Sequence, residues 1–100
     1  MKYLVIGNQT MAGSQHKAQV DFLTMTKKWV DKKMADGTVE AAYSFPAGGA
    51  FFILNADSHE DLMKLLIDFP LRPLSEFEIH AAVDFNTATQ MAIDSIKAFE

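Results

Sequence analysis

The chain has 100 residues, with nine basic and thirteen acidic side chains and a net charge of −4 at neutral pH. That length makes a single domain, residues 1–100, and the absence of cysteine excludes a disulfide framework and a thiolate metal centre. Arg72 is the sole arginine, so the clustered basic footprint of a nucleic-acid binder is missing.

The opening MKYLVIGNQT reaches polar Asn8 too early for the roughly 7–15 apolar residues of an export signal. No later run approaches the roughly 20 apolar residues of a membrane span. A soluble, cytoplasmic domain with neither a nucleic-acid nor a membrane partner is expected. Residues 2–7, KYLVIG, are rich in strand formers and end at Gly7, which predicts a first strand. NQTMAGSQ, residues 8–15, reads as loop. Its glycines lack the Gly-Lys-Ser/Thr ending of a phosphate loop.

From Ser14 or Gln15 to Met34 the apolar period changes. Phe22, Leu23, Thr26, Trp29, Val30, Lys33 and Met34 form one helical stripe, since such spacings return to the same face of a helix. Asp36-Gly37 supplies a turn. Thr38 to Phe45 and Ala50 to Ala56 read as two strands joined through Pro46 and two glycines. Ser58 caps a second helix, with Asp61 three residues on, close to a capping box. Leu62, Leu65, Leu66 and Phe69 line its buried side, and Pro70 ends it. His59, in its first turn, reads as a surface residue.

SEFEIHAAVDF, residues 75–85, alternates throughout and predicts a half-buried strand. Ser75, Phe77, Ile79, Ala81, Val83 and Phe85 share one face, and Glu76, Glu78, His80, Ala82 and Asp84 the other. Asn86 or Thr87 then caps a last helix, whose Ala88, Ala92, Ile96 and Phe99 share a side. The order of elements is that of a ferredoxin-like α+β fold, βαββαβ, with an extra C-terminal helix.

In that fold the helices cover one face of an antiparallel sheet and leave the other bare. The second and fourth strands place Glu40, Ser44, Glu76, Glu78 and His80 there, as a wet face requires. The first and third do not, because Tyr3 and Val5 oppose Leu4 and Ile6, and Phe51 and Ile53 oppose Phe52 and Leu54. Each such side chain left wet forfeits roughly 1.5–3 kcal/mol. A second copy of the sheet is the simplest cover, so a homodimeric α/β barrel is expected, with Glu78 and His80 partly enclosed.

The stretch DGTVEAAYSFPAGGAFFILNADSHEDLMKLLIDFPLRPLSEFEIHA resembles the muconolactone Δ-isomerase family, a dimeric α/β-barrel class, above all in FPLRPLSEFEI, residues 69–79. The resemblance implies cofactor-free movement of a proton within an unsaturated lactone or similar small organic acid, and assembly beyond one subunit. Such chemistry needs a base, a proton donor and a group that stabilises an enolate. The second strand, VEAAYSF, carries neither arginine nor histidine, and the tail NTATQMAIDSIKAFE is helical in pattern.

Glu78 and His80, two residues apart on one strand face, are the leading catalytic candidates, because that spacing is about 7 Å. His16 is a third, while Tyr3, Glu40 and Phe52 are candidate substrate contacts. His16, His59 and His80 are dispersed and share no helical face, so no metal site is expected. Met11, Met25, Phe51 and Phe52 suit core and interface better than a haem pocket. A non-catalytic binding or assembly module and a cofactor-independent monooxygenase are the competing readings, since one fold hosts many activities.

Overall fold

The computed structural model describes residues 1–9 and 16–99, and the side chains of residues 9, 16–18 and 74 lie outside that description. Strand β1 (Lys2–Gln9) is followed by α1 (His16–Ala35), β2 (Val39–Ser44), β3 (Ala50–Asn55) and α2 (His59–Asp68). A short 3-10 turn (Arg72–Leu74) leads into β4 (Ser75–Ala82), and α3 (Phe85–Lys97) ends the chain. The sheet order is β2-β3-β1-β4, with every pair antiparallel. The expected ferredoxin-like α+β fold is therefore present, with β2 and β4 at the edges.

Register decides what each face carries. Tyr3 pairs with Leu54 and Ala81, Val5 with Phe52 and Ile79, and Gly7 with Ala50 and Phe77. This side faces the helices. Tyr3, Val5, Val39, Leu54, Leu62 and Leu66 are buried there, with Trp29 and Leu65 packed against them. On the other side Leu4 pairs with Ile53 and His80, and Ile6 with Phe51 and Glu78. No described helix covers these residues.

Local chemistry accounts for the boundaries. Ser58 caps α2 by accepting a hydrogen bond from the Asp61 N–H at 3.1 Å, which satisfies one of the helix's orphan donors. In the β2–β3 hairpin Gly48 and Gly49 hold φ of 110° and 89°, a region that favours glycine. A Cβ at Gly49 would also lie 2.9 Å from the Gly7 carbonyl oxygen and 2.8 Å from Asn8 Oδ1. The hairpin thus approaches β1 too closely there for any side chain at Gly49.

Three expectations change. β1 runs past Gly7 through Gln9, where Asn8 and Gln9 pair with Glu76 and Ser75. β4 stops at Ala82 rather than Phe85, because Ala82 already pairs with Lys2, the first residue of β1. Val83 and the residues after it have no neighbouring strand to join. Asp84, not Asn86 or Thr87, then caps α3: its carboxylate accepts from the Thr87 N–H at 3.0 Å and the Thr87 hydroxyl at 3.2 Å. No helix among the described residues is long and apolar enough to cross a membrane.

The Thr87 backbone bond, with the Thr87 hydroxyl second, holds the Asp84 carboxyl below its ordinary value of 3.8. A depressed carboxyl stabilises the folded state above its unfolded pKa, and that contribution disappears as pH falls through the folded pKa. Far-UV circular dichroism should therefore show α3 helicity falling below pH 3.8. Asp84→Asn keeps the cap and should remove that part of the acid transition; an unchanged acid limb would show that Asp84 does not hold the helix.

Candidate functional site

α1 does not lie flat on the sheet. Phe22, Thr26, Trp29, Val30 and Lys33 of its stripe are only half-buried, and Leu23 and Met34 are each 47% exposed. The space beneath is a cavity of about 270 Å³. Gly7, Ala42, Ala50 and Phe52 form much of its floor, Leu23, Thr26 and Val30 its roof, and Phe69 and Phe77 a wall. Gly7 makes room at the centre of the sheet, where any other residue would project a side chain toward the Phe77 ring.

The wall is an aromatic stack. Phe69 lies over Phe77 with centroids 5.9 Å apart, meets Phe52 edge-on at 5.6 Å, and stacks on Trp29 at 5.2 Å. Offset and edge-to-face contacts of this kind are favourable beyond their buried area. Asp68 Oδ2 accepts the Trp29 indole N–H at 2.9 Å and fixes that ring. Polar groups reach the cavity from Thr26, Ser75 and Ser44, which pairs with Ala50 and so lies on the helix side instead of the expected bare face. Lys27 and Asp31, 3.5 Å apart, also line it. The Thr26 hydroxyl donates to the Phe22 carbonyl at 2.7 Å, which leaves its lone pairs for a ligand donor.

The sheet separates the sequence candidates into two groups. Phe52 lines the cavity. Tyr3 shares its side of the sheet but is 2% exposed in the core, with its hydroxyl 2.6 Å from His59 Nδ1. Glu78 and His80 lie on the open face, with Oε1 and Nε2 3.1 Å apart and both side chains more than half exposed. Glu40 spends both carboxylate oxygens on Lys2, each at 3.0 Å, at the irregularity in β2 between Val39 and Ala41. The His16 side chain lies outside the described residues. Glu78 and His80 are thus brought together, and Tyr3 and Phe52 are on the other side of the sheet from them.

Sequence reading missed most of the cavity, although Gly7 inside a strand pattern signals a close approach or a missing side chain. A wider hollow, about 680 Å³, lies at the end of the sheet nearest Met1 and Asn55. Three of its charged groups are engaged at the surface: Lys64 pairs with Asp61 at 4.0 Å, and Asp68 holds Trp29. The Asp36 carboxyl there is held below its ordinary range, first by the Thr38 side chain and then by the Thr38 N–H. That is turn chemistry.

A four-stranded antiparallel sheet with helices on one face and a small apolar cavity beneath α1 defines a ferredoxin-like α+β domain. The chain belongs to the family described as Domain of unknown function (DUF3303), whose model matches residues 1–96. Its fold is similar to that of 5-chloro-2-hydroxyhydroquinone dehydrochlorinase from Burkholderia phenoliruptrix AC1100, solved in complex with 2,5-dihydroxybenzoquinone. The TM-score is 0.69 at 13% identity, covering 87% of this chain and 98% of that one. No curated protein matches the chain.

The Tyr3–His59 contact is open to a direct check. Tyr3→Phe should lower unfolding free energy by about 1 kcal/mol, the usual net worth of one hydrogen bond. His59→Ala in the Tyr3→Phe background should then cost less than it does alone, as coupled partners do. Additive losses in urea unfolding would show that the two groups act separately.

Proposed function

We propose that the protein binds a small, flat, largely apolar organic molecule in the cavity beneath α1. The observation that carries this reading is the aromatic-walled space of about 270 Å³ at Gly7. It is near the lower end of the roughly 300–1,000 Å³ typical of ligand sites and suits one substituted ring. Apolar walls with a few hydroxyl groups are the usual make-up of such sites. The similar fold that holds 2,5-dihydroxybenzoquinone supports a ligand of this size. The bare apolar face supports a homodimeric barrel as the working form.

Trp29 is the only tryptophan and stacks on Phe69 of the cavity wall, so it is a built-in reporter. Titration with 2,5-dihydroxybenzoquinone should change its fluorescence saturably, with matching heat in calorimetry. In Gly7→Ala the new Cβ meets Phe77 at 3.5 Å, an ordinary contact, so the fold survives while the cavity narrows. One added methyl should weaken binding about tenfold or more. Linear, unsaturable quenching that is the same in both proteins would remove the cavity as a ligand site.

A second reading is favoured by the 3.1 Å contact between Glu78 and His80. Covered by a second sheet, the pair could move a proton between carbons of an unsaturated lactone without a cofactor, as a muconolactone-isomerase-like enzyme. The carboxylate would take the proton and the imidazole return it. Incubation with unsaturated lactones in deuterated water should place solvent deuterium in the product. Glu78→Gln should slow that exchange at least about a hundredfold, the usual contribution of a general base. Absence of exchange across the lactones tried would leave binding without this chemistry.

A further inference from the structure

α3 leaves the sheet with nothing packed on it. None of its residues is buried, and Phe85, Ile96 and Phe99 are 80%, 65% and 91% exposed. Phe85, Ala88, Ala92, Ile96 and Phe99 fall on one side, while Thr87, Gln90 and Asp94 fall opposite, the pattern of a helix with a partner. The molecule consequently measures 63 × 28 × 22 Å, with a radius of gyration of 17.0 Å against about 13 Å for a compact chain of this length. A helix of 13 residues is marginal in water by itself. Its persistence therefore calls for a surface to cover its apolar side.

Charge and area identify that surface. Lys97 is the only base in α3, and the chain carries −4 overall, whereas a helix lying on a lipid surface is rich in lysine and arginine on its polar side. The open face bears Leu4, Ile6, Phe51 and Ile53, half-buried among their strand neighbours, and no described helix covers it. With about 4.8 Å between strands and about 3.3 Å per residue, its planar footprint is roughly 400 Å², short of the about 800 Å² per partner in a stable interface. α3, about 20 Å long and about 10 Å across, adds roughly 200 Å², and the area that receives the partner's arm adds as much again, which brings each partner to about 800 Å². Only Val83 and Asp84 separate it from β4, so a copy seated on the open face comes within its reach.

We propose that α3 is an exchanged arm: its Phe85–Ala92–Ile96–Phe99 stripe packs on a second copy of this chain, beside the shared sheet face, and receives the partner's arm in return. Reciprocal exchange follows from two-fold symmetry, in which the same patch serves both subunits. The inference rests on the dimeric-barrel reading, and the experiment separates the two.

Sedimentation velocity would compare wild type, Ile53→Asp on the open face and Ala92→Asp/Ile96→Asp on the arm. A wild-type dimer with dissociation weakened at least about tenfold in the arm variant is expected, on the scale of losing one interface anchor. Because the chain has no cysteine, Gln90→Cys on the polar side of α3 can carry a nitroxide without disturbing the stripe. Mixed with unlabelled, isotope-enriched chain, it should broaden resonances of the partner subunit. A dimer disrupted by Ile53→Asp but indifferent to the arm variant, without intermolecular broadening, overturns the arm and spares the shared sheet. A compact wild-type monomer overturns the arm and leaves no second subunit for it to hold.

Discussion

β1 and β3 lie side by side at the centre of the sheet, and their inner stretches are apolar toward both faces. Tyr3, Val5, Phe52 and Leu54 meet the helices, while Leu4, Ile6, Phe51 and Ile53 point the other way. A strand of this kind is normally enclosed on both sides. Everything else in the molecule follows from how that requirement is met on one side and left unmet on the other. The helix side is filled by leucines from α2 and by Trp29. The open side is filled by nothing within the described chain, and the same holds for α3.

The two sides have become chemically distinct as a result. Toward the helices the polar groups are few and mostly hydroxyl, and the space is shaped by aromatic rings. Toward the open face the edge strands bring carboxylates and an imidazole, spaced by the pleat so that Glu78 and His80 meet. The backbone of the sheet lies between these environments. The cavity beneath α1 and the Glu78–His80 pair therefore lie on opposite sides of the sheet.

Much of the fold was legible in the sequence because the signals are local. The alternation in SEFEIHAA, the Ser58 cap and the apolar period of α1 each lie within one turn or one strand. The edge positions of β2 and β4 followed from their charged residues. The end of β4 was not legible, since alternation continues to Phe85 and only the register with Lys2 stops it. Nor was the division of the candidate site. Tyr3 and His59 are 56 positions apart, and the cavity draws five residues from α1 and one to three from each strand. Only the α1 members repeat with a period, and that period is equally the mark of a packed helix face. The cavity's visible marks in the sequence are Gly7, which reads there as a strand end, and Phe52, a candidate substrate contact.

The close approach of Gly49 to the Gly7 carbonyl has a bearing on how the cavity could be remodelled. At that end any side chain placed at Gly49 would meet the Gly7 carbonyl and the Asn8 side chain. Leu23, Thr26 and Val30 line the cavity from the facing helix, so changes in its shape fall more readily there. One rigid jaw and one adjustable jaw would let relatives share a scaffold while differing in diet.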